Sequence, residues 1–284
     1  MLETVILVVC FILLVWSSIT DLRTTEVPDW LSHSAIVLGF ILNGADSGLT
    51  HSWAPLIASG IGFGVCLAFG LLTYYGGQWG GGDSKIIMAL GSLLGLTFTL
   101  DTKLVWFAVY FLIAGALYGI GWTVWLAMTR KHRFIPAYKA IIHTTYAKVI
   151  RISGFVLLGV FGVFSFFMHD AQLKIVTLIL AVFFPFIAHV FLFVKAVENC
   201  MTREAAPDKL LEGDWITKDV VVSGKTIFVA GKLGISQKKI DELKHLSKMH
   251  HNISITVKDG IPFVPAFLIA FLMMIGLGNP FLFI

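Results

Sequence analysis

The chain has 284 residues, of which 57% are hydrophobic and only 13% charged. The charged share is about half that of an ordinary soluble domain, and one core cannot hide so much apolar surface, so a soluble globular fold is excluded. The formal net charge is +4, but the basic residues lie between apolar runs without interleaved aromatics or a recognised motif, which speaks against a nucleic-acid partner.

A membrane span needs about 20 mainly apolar residues. In chain order, runs of that kind fall near residues 2–19, 30–44, 53–75, 84–100, 104–127, 152–168, 175–196 and 261–284. The second and fourth are short, which sets the range at six to eight spans. The first run carries Glu3 and no lysine or arginine before its apolar stretch, the reverse of a cleaved signal peptide. It reads as a retained span with its N-terminus outside. With that start, the segments near 45–52, 101–103 and 169–174 are external and hold only Lys103 and Lys174. Arg130, Lys131, Arg133, Lys139, Lys148 and Arg151 fall in one internal segment, and ten more lysines and arginines lie between about 197 and 260. The asymmetry follows the positive-inside rule and predicts both termini outside.

Two segments break the membrane pattern. Residues 130–151 form a basic, partly helical connector. Residues 197–260 read as a small subdomain: Val220–Val222 and Thr226–Val229 flank the turn residues Ser223-Gly224-Lys225, which predicts a hairpin. Ser236 opens a helix through Ile240, Leu243 and Leu246, and Ile253–Val257 is a further strand closed by Asp259-Gly260. The fold class is therefore an all-α polytopic membrane protein of about eight transmembrane helices with a small α+β cytoplasmic insertion. Its regions are a membrane core over 1–129, the connector 130–151, two further spans over 152–196, the subdomain 197–260 and a last span over 261–284.

Smaller features have plainer readings. The glycine pairs Gly60/Gly64, Gly91/Gly95 and Gly115/Gly119 are spaced for close helix approach. Cys10, Cys66 and Cys200 lack paired spacing, which argues against disulfides and zinc. His189 lies inside the seventh span and is expected to hydrogen-bond within the bundle. His250-His251 have no companion ligands, and Trp30, Trp53 and Trp106 read as interface anchors.

Carboxylates at span ends are the informative polar groups, because charge is expensive near hydrocarbon. Asp21 ends the first span and Asp83 opens the fourth. Two spans separate them, so they share one membrane face, and the charge rule makes that face cytoplasmic. Two carboxylates that approach each other can share a proton, one activating water while the other polarises a peptide carbonyl. The loop Gly76-Gly77-Gln78-Trp79-Gly80-Gly81-Gly82 would let a substrate backbone come close to Asp83 and could move to admit it. A lone aspartate at a span end is more often a solvated boundary residue or a helix cap. The glycine loop fails the phosphate-binding pattern, since no glycine is followed by Lys-Ser/Thr. A cation transporter using the same carboxylates, and a non-catalytic assembly protein docking a partner through 197–260, remain alternatives at this point. The shared membrane face argues against a transporter, whose sites usually lie at the midplane.

The segment Asp21-Leu22-Arg23-Thr24-Thr25-Glu26-Val27-Pro28 resembles the D-x-R-x-x-x-[IV]-P element of type IV prepilin peptidases, and Gly80-Gly81-Gly82-Asp83-Ser84-Lys85 resembles their G-x-G-D-x-K element. The resemblance covers roughly residues 5–100. Pro207–Trp215 and Lys258–Phe267 are similar to the C-terminal region of an archaeal branch that includes preflagellin peptidases. It implies a GxGD-type aspartyl endopeptidase that removes short basic leaders from prepilin or preflagellin-like precursors, with Asp21 and Asp83 as the catalytic carboxylates. Bacterial members usually carry a cysteine-pair zinc segment and also N-methylate the trimmed subunit; lacking such pairs, this chain is expected to need no metal or other cofactor and to have no methyltransferase activity. The two extra spans and the 197–260 segment exceed the compact six-span plan of preflagellin peptidases. Glu26 and Asp29 are candidates for attracting the basic leader, although Asp29 also stands where it could cap the next helix. Lys85 and Arg23 are candidates for biasing the neighbouring carboxylates electrostatically, or for snorkelling to the interface.

Overall fold

The structure is a computed structural model that describes residues 2–210, 212–222, 225–228, 234–249, 254–258 and 260–283. The expected turn at Ser223-Gly224, His250-His251 and Asp259 lie outside the described residues. Eight helices coincide with the eight expected runs: α1 (Leu2–Thr24), α2 (Asp29–Thr50), α3 (Ala54–Tyr75), α4 (Gly81–Leu94), α5 (Lys103–Thr129), α7 (Thr145–Phe166), α8 (Ala171–Cys200) and α10 (Val264–Leu277). Among the described residues α1, α3, α5, α7 and α8 are long and apolar enough to cross a membrane, and α10 is a shorter apolar helix. α2 is interrupted by Asp29, His33, Asn43 and Asp46, and α4 has only 14 residues. α6 (Lys131–Ile142) fills the basic connector and α9 (Gln237–Met249) the helix expected after Ser236.

Contacts divide the chain into two units, 1–120 with 203–284, and 121–202. In the first unit α4 is held by α2 and α3 over its whole length. A side chain at Gly91 would put its Cβ 2.5 Å from the Gly62 carbonyl oxygen and 2.8 Å from Cys66, and one at Gly39 would meet Ser92 at 2.5 Å. Only glycine permits backbones this close. The expected pair Gly60/Gly64 instead has open space beside it, so the close approach on α3 is made by Gly62. Polar groups fasten the same helix. Ser84 Oγ donates to the Gly70 carbonyl (3.0 Å), Ser59 Oγ donates to the Ser92 carbonyl (2.6 Å), and the Asn43 amide donates to Gly39, Ser92 and Leu93 carbonyls. Of these acceptors, the Ser92 and Leu93 carbonyls lie in the last turn of α4, where carbonyls lack intrahelical partners.

α1 packs against α10, and the buried face of α1 runs through Cys10, Leu13, Leu14, Ser17, Ser18 and Asp21. The main core also contains Ile86, Leu90, Leu93, Phe107, Phe267 and Phe271. Two tyrosines of α5 reach the segment that carries α10: Tyr110 Oη donates to the Gly278 carbonyl at 3.2 Å and Tyr118 Oη to the Pro262 carbonyl at 2.8 Å.

The stretch from 202 to 258 carries β1 (Thr202–Ala205), β2 (Trp215–Ile216), β3 (Val220–Val222), β4 (Lys225–Phe228) and β5 (Ile255–Lys258). β3 and β4 form the expected antiparallel hairpin, and β1, β5 and β2 form a sheet in that order, with Trp215 opposite Lys258 and Ile216 opposite Val257. Ile216, Val220, Ile240, Leu243, Ile255 and Val257 make its own small core.

In the second unit α7 and α8 approach closely where Gly154 faces Pro185 and Ala188. α7 starts at Thr145, earlier than the apolar run, because Lys148 and Arg151 mark a polar boundary without ending the helix; Arg151 donates to the Ala147 and Ile142 carbonyls. His189 Nδ1–H donates to the Pro185 carbonyl of its own helix at 2.7 Å. Phe155, Val160, Val163, Phe183 and Phe186 are exposed, as expected of surfaces that face lipid.

Candidate active site

The two motifs of the sequence meet. Asp21 sits on the buried face of α1, near its C-terminal end, at 6% exposure. Asp83 occupies the third position of α4, partly buried, and lies within electrostatic reach of Asp21. Val27, buried in the turn after α1, packs on Gly82, where an added Cβ would stand 3.2 Å away. Further out, Lys85 pairs with Asp29 at 2.5 Å. A side chain at position 82 would crowd Val27 in this motif-to-motif contact.

Each carboxylate has a backbone donor. Asp83 Oδ2 accepts the Gly80 N–H at 3.3 Å, the reach-back half of a capping box, so the helix-cap reading of this residue also holds. Asp21 Oδ2 accepts the Val264 N–H of α10 at 2.9 Å, a buried bond, with the Phe263 N–H also within its reach. Asp21 thus serves the open N-terminus of α10, where helical N–H groups lack intrahelical partners. Tyr118 of α5 completes the neighbourhood, close enough to feel the Asp21 charge.

The glycine loop is anchored at one side chain. Gly77 takes a left-handed φ of +67°, while Gln78 and Trp79 N–H both donate to the Thr73 carbonyl. Trp79 then lodges among Phe69, Phe111, Phe263 and Phe267 with ring centroids 5.2–6.4 Å apart. Gly80 precedes α4, and Gly81 and Gly82 form its first turn.

The turn joining α1 to α2 carries backbone strain. Thr25 has φ +55° and its N–H donates to the Asp21 carbonyl; a β-branched residue rarely adopts this conformation. Glu26 is exposed, and its carboxyl lies above the ordinary range because of partial burial first, then the negative charges of Asp214, Glu212 and Asp29. An acidic edge therefore joins the α1–α2 turn to the loop before β2. Arg23 is not part of this group: it lines an apolar groove on the other side of α1 with Phe11, Ile12, Val15, Trp16 and Ile19. Among the described residues no group of three or more His, Cys, Asp or Glu side chains could hold a metal ion.

Sequence reasoning put Asp21 and Asp83 on one membrane face and singled out Gly80–Gly82 as the loop beside Asp83. It missed Tyr118 and the Val264 N–H. The available signals were a tyrosine in an otherwise apolar helix and the run Ile261-Pro262-Phe263-Val264-Pro265, whose prolines punctuate a helix start.

Residues 8–124, which carry both aspartates, match the family model of the type IV leader peptidase family. The resemblance drawn from the two motifs is borne out over that segment. A 78-residue stretch is 40% identical to a preflagellin peptidase of Methanocaldococcus jannaschii, and a stretch of the same length is 33% identical to a preflagellin peptidase of Methanococcus voltae. Each match covers 28% of this chain and 33% of the relative, so the chain spans about a third of the length of the curated relatives it matches. No solved structure matches significantly.

Proposed function

We propose that the chain is a membrane aspartyl endopeptidase that removes short basic leader peptides from prepilin- or preflagellin-like precursors at the cytoplasmic face, without N-methylating the product. The observation that carries this reading is the meeting of two separated motifs, where Val27 packs on Gly82 and Lys85 pairs with Asp29, so that the partly buried Asp83 lies within electrostatic reach of the buried Asp21. The family match over residues 8–124 supports the reaction class, and the lysine and arginine asymmetry supports the face.

In the mechanism one carboxylate is ionised and its partner protonated, since two adjacent carboxylates cannot easily ionise together. The ionised group takes a proton from water as the water oxygen attacks the scissile carbonyl carbon. The protonated group gives its proton to the carbonyl oxygen, forming a tetrahedral diol. Return of a proton to the amide nitrogen then lets the C–N bond break, releasing the leader acid and the new amine terminus. The Gly80–Gly82 backbone lies beside the reacting carbonyl. Glu26, Asp29, Glu212 and Asp214 form an acidic edge that attracts the leader's basic residues, while the precursor's apolar helix stays in the bilayer.

The test is cleavage of a panel of precursors with basic leaders by the full chain in membranes, read by mass spectrometry. The expected products are a released leader and a mature subunit whose terminal amine carries no added methyl group. Failure to cut any precursor while the protein is folded would contradict the peptidase reading, and a methylated product would contradict its second half.

A further inference from the structure

Asp21 takes a backbone donor from a distant part of the chain, and that donor is presented by a short, well-braced turn. The first turn of an α-helix has N–H groups without intrahelical partners. At the start of α10 those belong to Phe263, Val264 and Ala266, because Pro265 has none. Ala266 N–H is taken by the Phe263 carbonyl at 3.0 Å. The Val264 N–H points at Asp21 Oδ2. An unpaired N–H in an apolar surrounding is costly, so this bond is favoured only while the turn keeps its orientation.

Two contacts fix that orientation. Phe263 packs its ring against Trp79, Phe111 and Tyr118. Tyr118 Oη donates to the Pro262 carbonyl, two residues before the donor. We infer that Tyr118 is a positioning residue: through Pro262 it aims the Val264 N–H at Asp21 Oδ2 and so fixes the orientation of the Asp21 carboxylate. Tyr118 sits within electrostatic reach of Asp21. As a statement about catalysis this rests on the peptidase reading above; as a statement about the Asp21 carboxylate it does not.

Tyr110 supplies a matched control. It lies on the same helix and makes the same kind of bond to the other end of α10, at Gly278. Tyr118→Phe and Tyr110→Phe each delete one hydroxyl from α5 and should cost similar thermal stability.

Two readouts separate them. The first is labelling of Asp21 by dicyclohexylcarbodiimide in the folded fraction, followed as the N-acylurea by mass spectrometry. A carboxyl oxygen released from the Val264 N–H is free to add to the carbodiimide carbon. Tyr118→Phe is expected to label Asp21 several-fold faster than wild type, with Asp83 labelling unchanged, whereas Tyr110→Phe labels both at the wild-type rate. The second is precursor cleavage: Tyr118→Phe is expected to lower kcat about tenfold with KM unchanged, as misplacement of a reacting group does, and Tyr110→Phe to leave both constants unchanged. Wild-type Asp21 labelling in Tyr118→Phe, or equal changes in the two variants, would overturn the inference. If wild type cleaves no precursor, the labelling result still decides it, so its fate is separate from that of the peptidase reading.

Discussion

Asp83 is oriented by its own helix, through a backbone N–H three residues away, whereas Asp21 is oriented by α10, through an N–H 243 residues away. The surroundings differ in the same sense. α4 is locked between α2 and α3 by interlocked glycines and by the carbonyl bonds of Ser59, Asn43 and Ser84. Beside Asp21, the close partner of α1 is the apolar helix α10, entered through a turn held by Tyr118. A reacting pair built this way has one member set by local chain geometry and one set by tertiary contacts. Changes to helix packing should therefore separate into those that unseat α4 and those that leave it in place.

The largest effect is expected at Gly91. Its added Cβ would meet the Gly62 backbone, which cannot move aside like a side-chain tip. Gly91→Ala should cost about 3 kcal/mol of stability, and Gly91→Leu should leave no folded protein. Gly60→Ala, on an open stretch of α3, should be nearly neutral. Thermal unfolding in detergent compares the three, and equal tolerance at positions 60 and 91 would break the picture of a locked α4.

Next in size is Asn43→Ala. It leaves carbonyls of Ser92 and Leu93 without their Asn43 donor, a loss of about 2 kcal/mol. Cleavage per folded molecule should stay at the wild-type rate, because the Asp83 end of α4 keeps its Ser84 and Gly80 bonds. A fall in specific activity without a fall in stability would mean that the far end of α4 also sets Asp83.

A smaller effect is expected at the acidic edge. Glu26→Gln should raise KM for a lysine-rich leader about threefold at low salt, and the difference should vanish near 1 M salt, where the screening length is about 3 Å. The pH dependence has a definite sign. Because the Glu26 carboxyl lies above its ordinary value in the folded protein, chiefly through burial, the folded state holds this proton more tightly than the unfolded one. The Glu26 contribution to stability is therefore present below the ordinary glutamate range and is lost as pH rises through the higher folded value. Unfolding temperatures should fall less over that window in Glu26→Gln than in wild type.

The same local-versus-distant division explains what could be read from the sequence. Both aspartates, the glycines around Asp83 and the eight apolar runs were legible, because each is written in a short stretch with its own spacing rule. So was the β3–β4 hairpin, from alternation around turn residues. The N–H that Asp21 accepts was not legible, since backbone donors leave no mark on residue identity and α10 is remote in sequence. Tyr118 looked like one aromatic in a span rich in them. The ends of α7 and α8 were misjudged because hydropathy marks where lipid contact stops, and helical hydrogen bonding continues past that point. Gly62 was passed over for Gly60 and Gly64 because spacing alone does not say which face of α3 meets α4.

The most direct test of the two-carboxylate account is precursor cleavage in membranes by wild type, Asp21→Asn and Asp83→Asn at equal amounts of folded protein. The account predicts that each substitution alone abolishes cleavage, because neither carboxylate can both hold and give the proton that hydrolysis requires. Cleavage at the wild-type rate by either variant would contradict it.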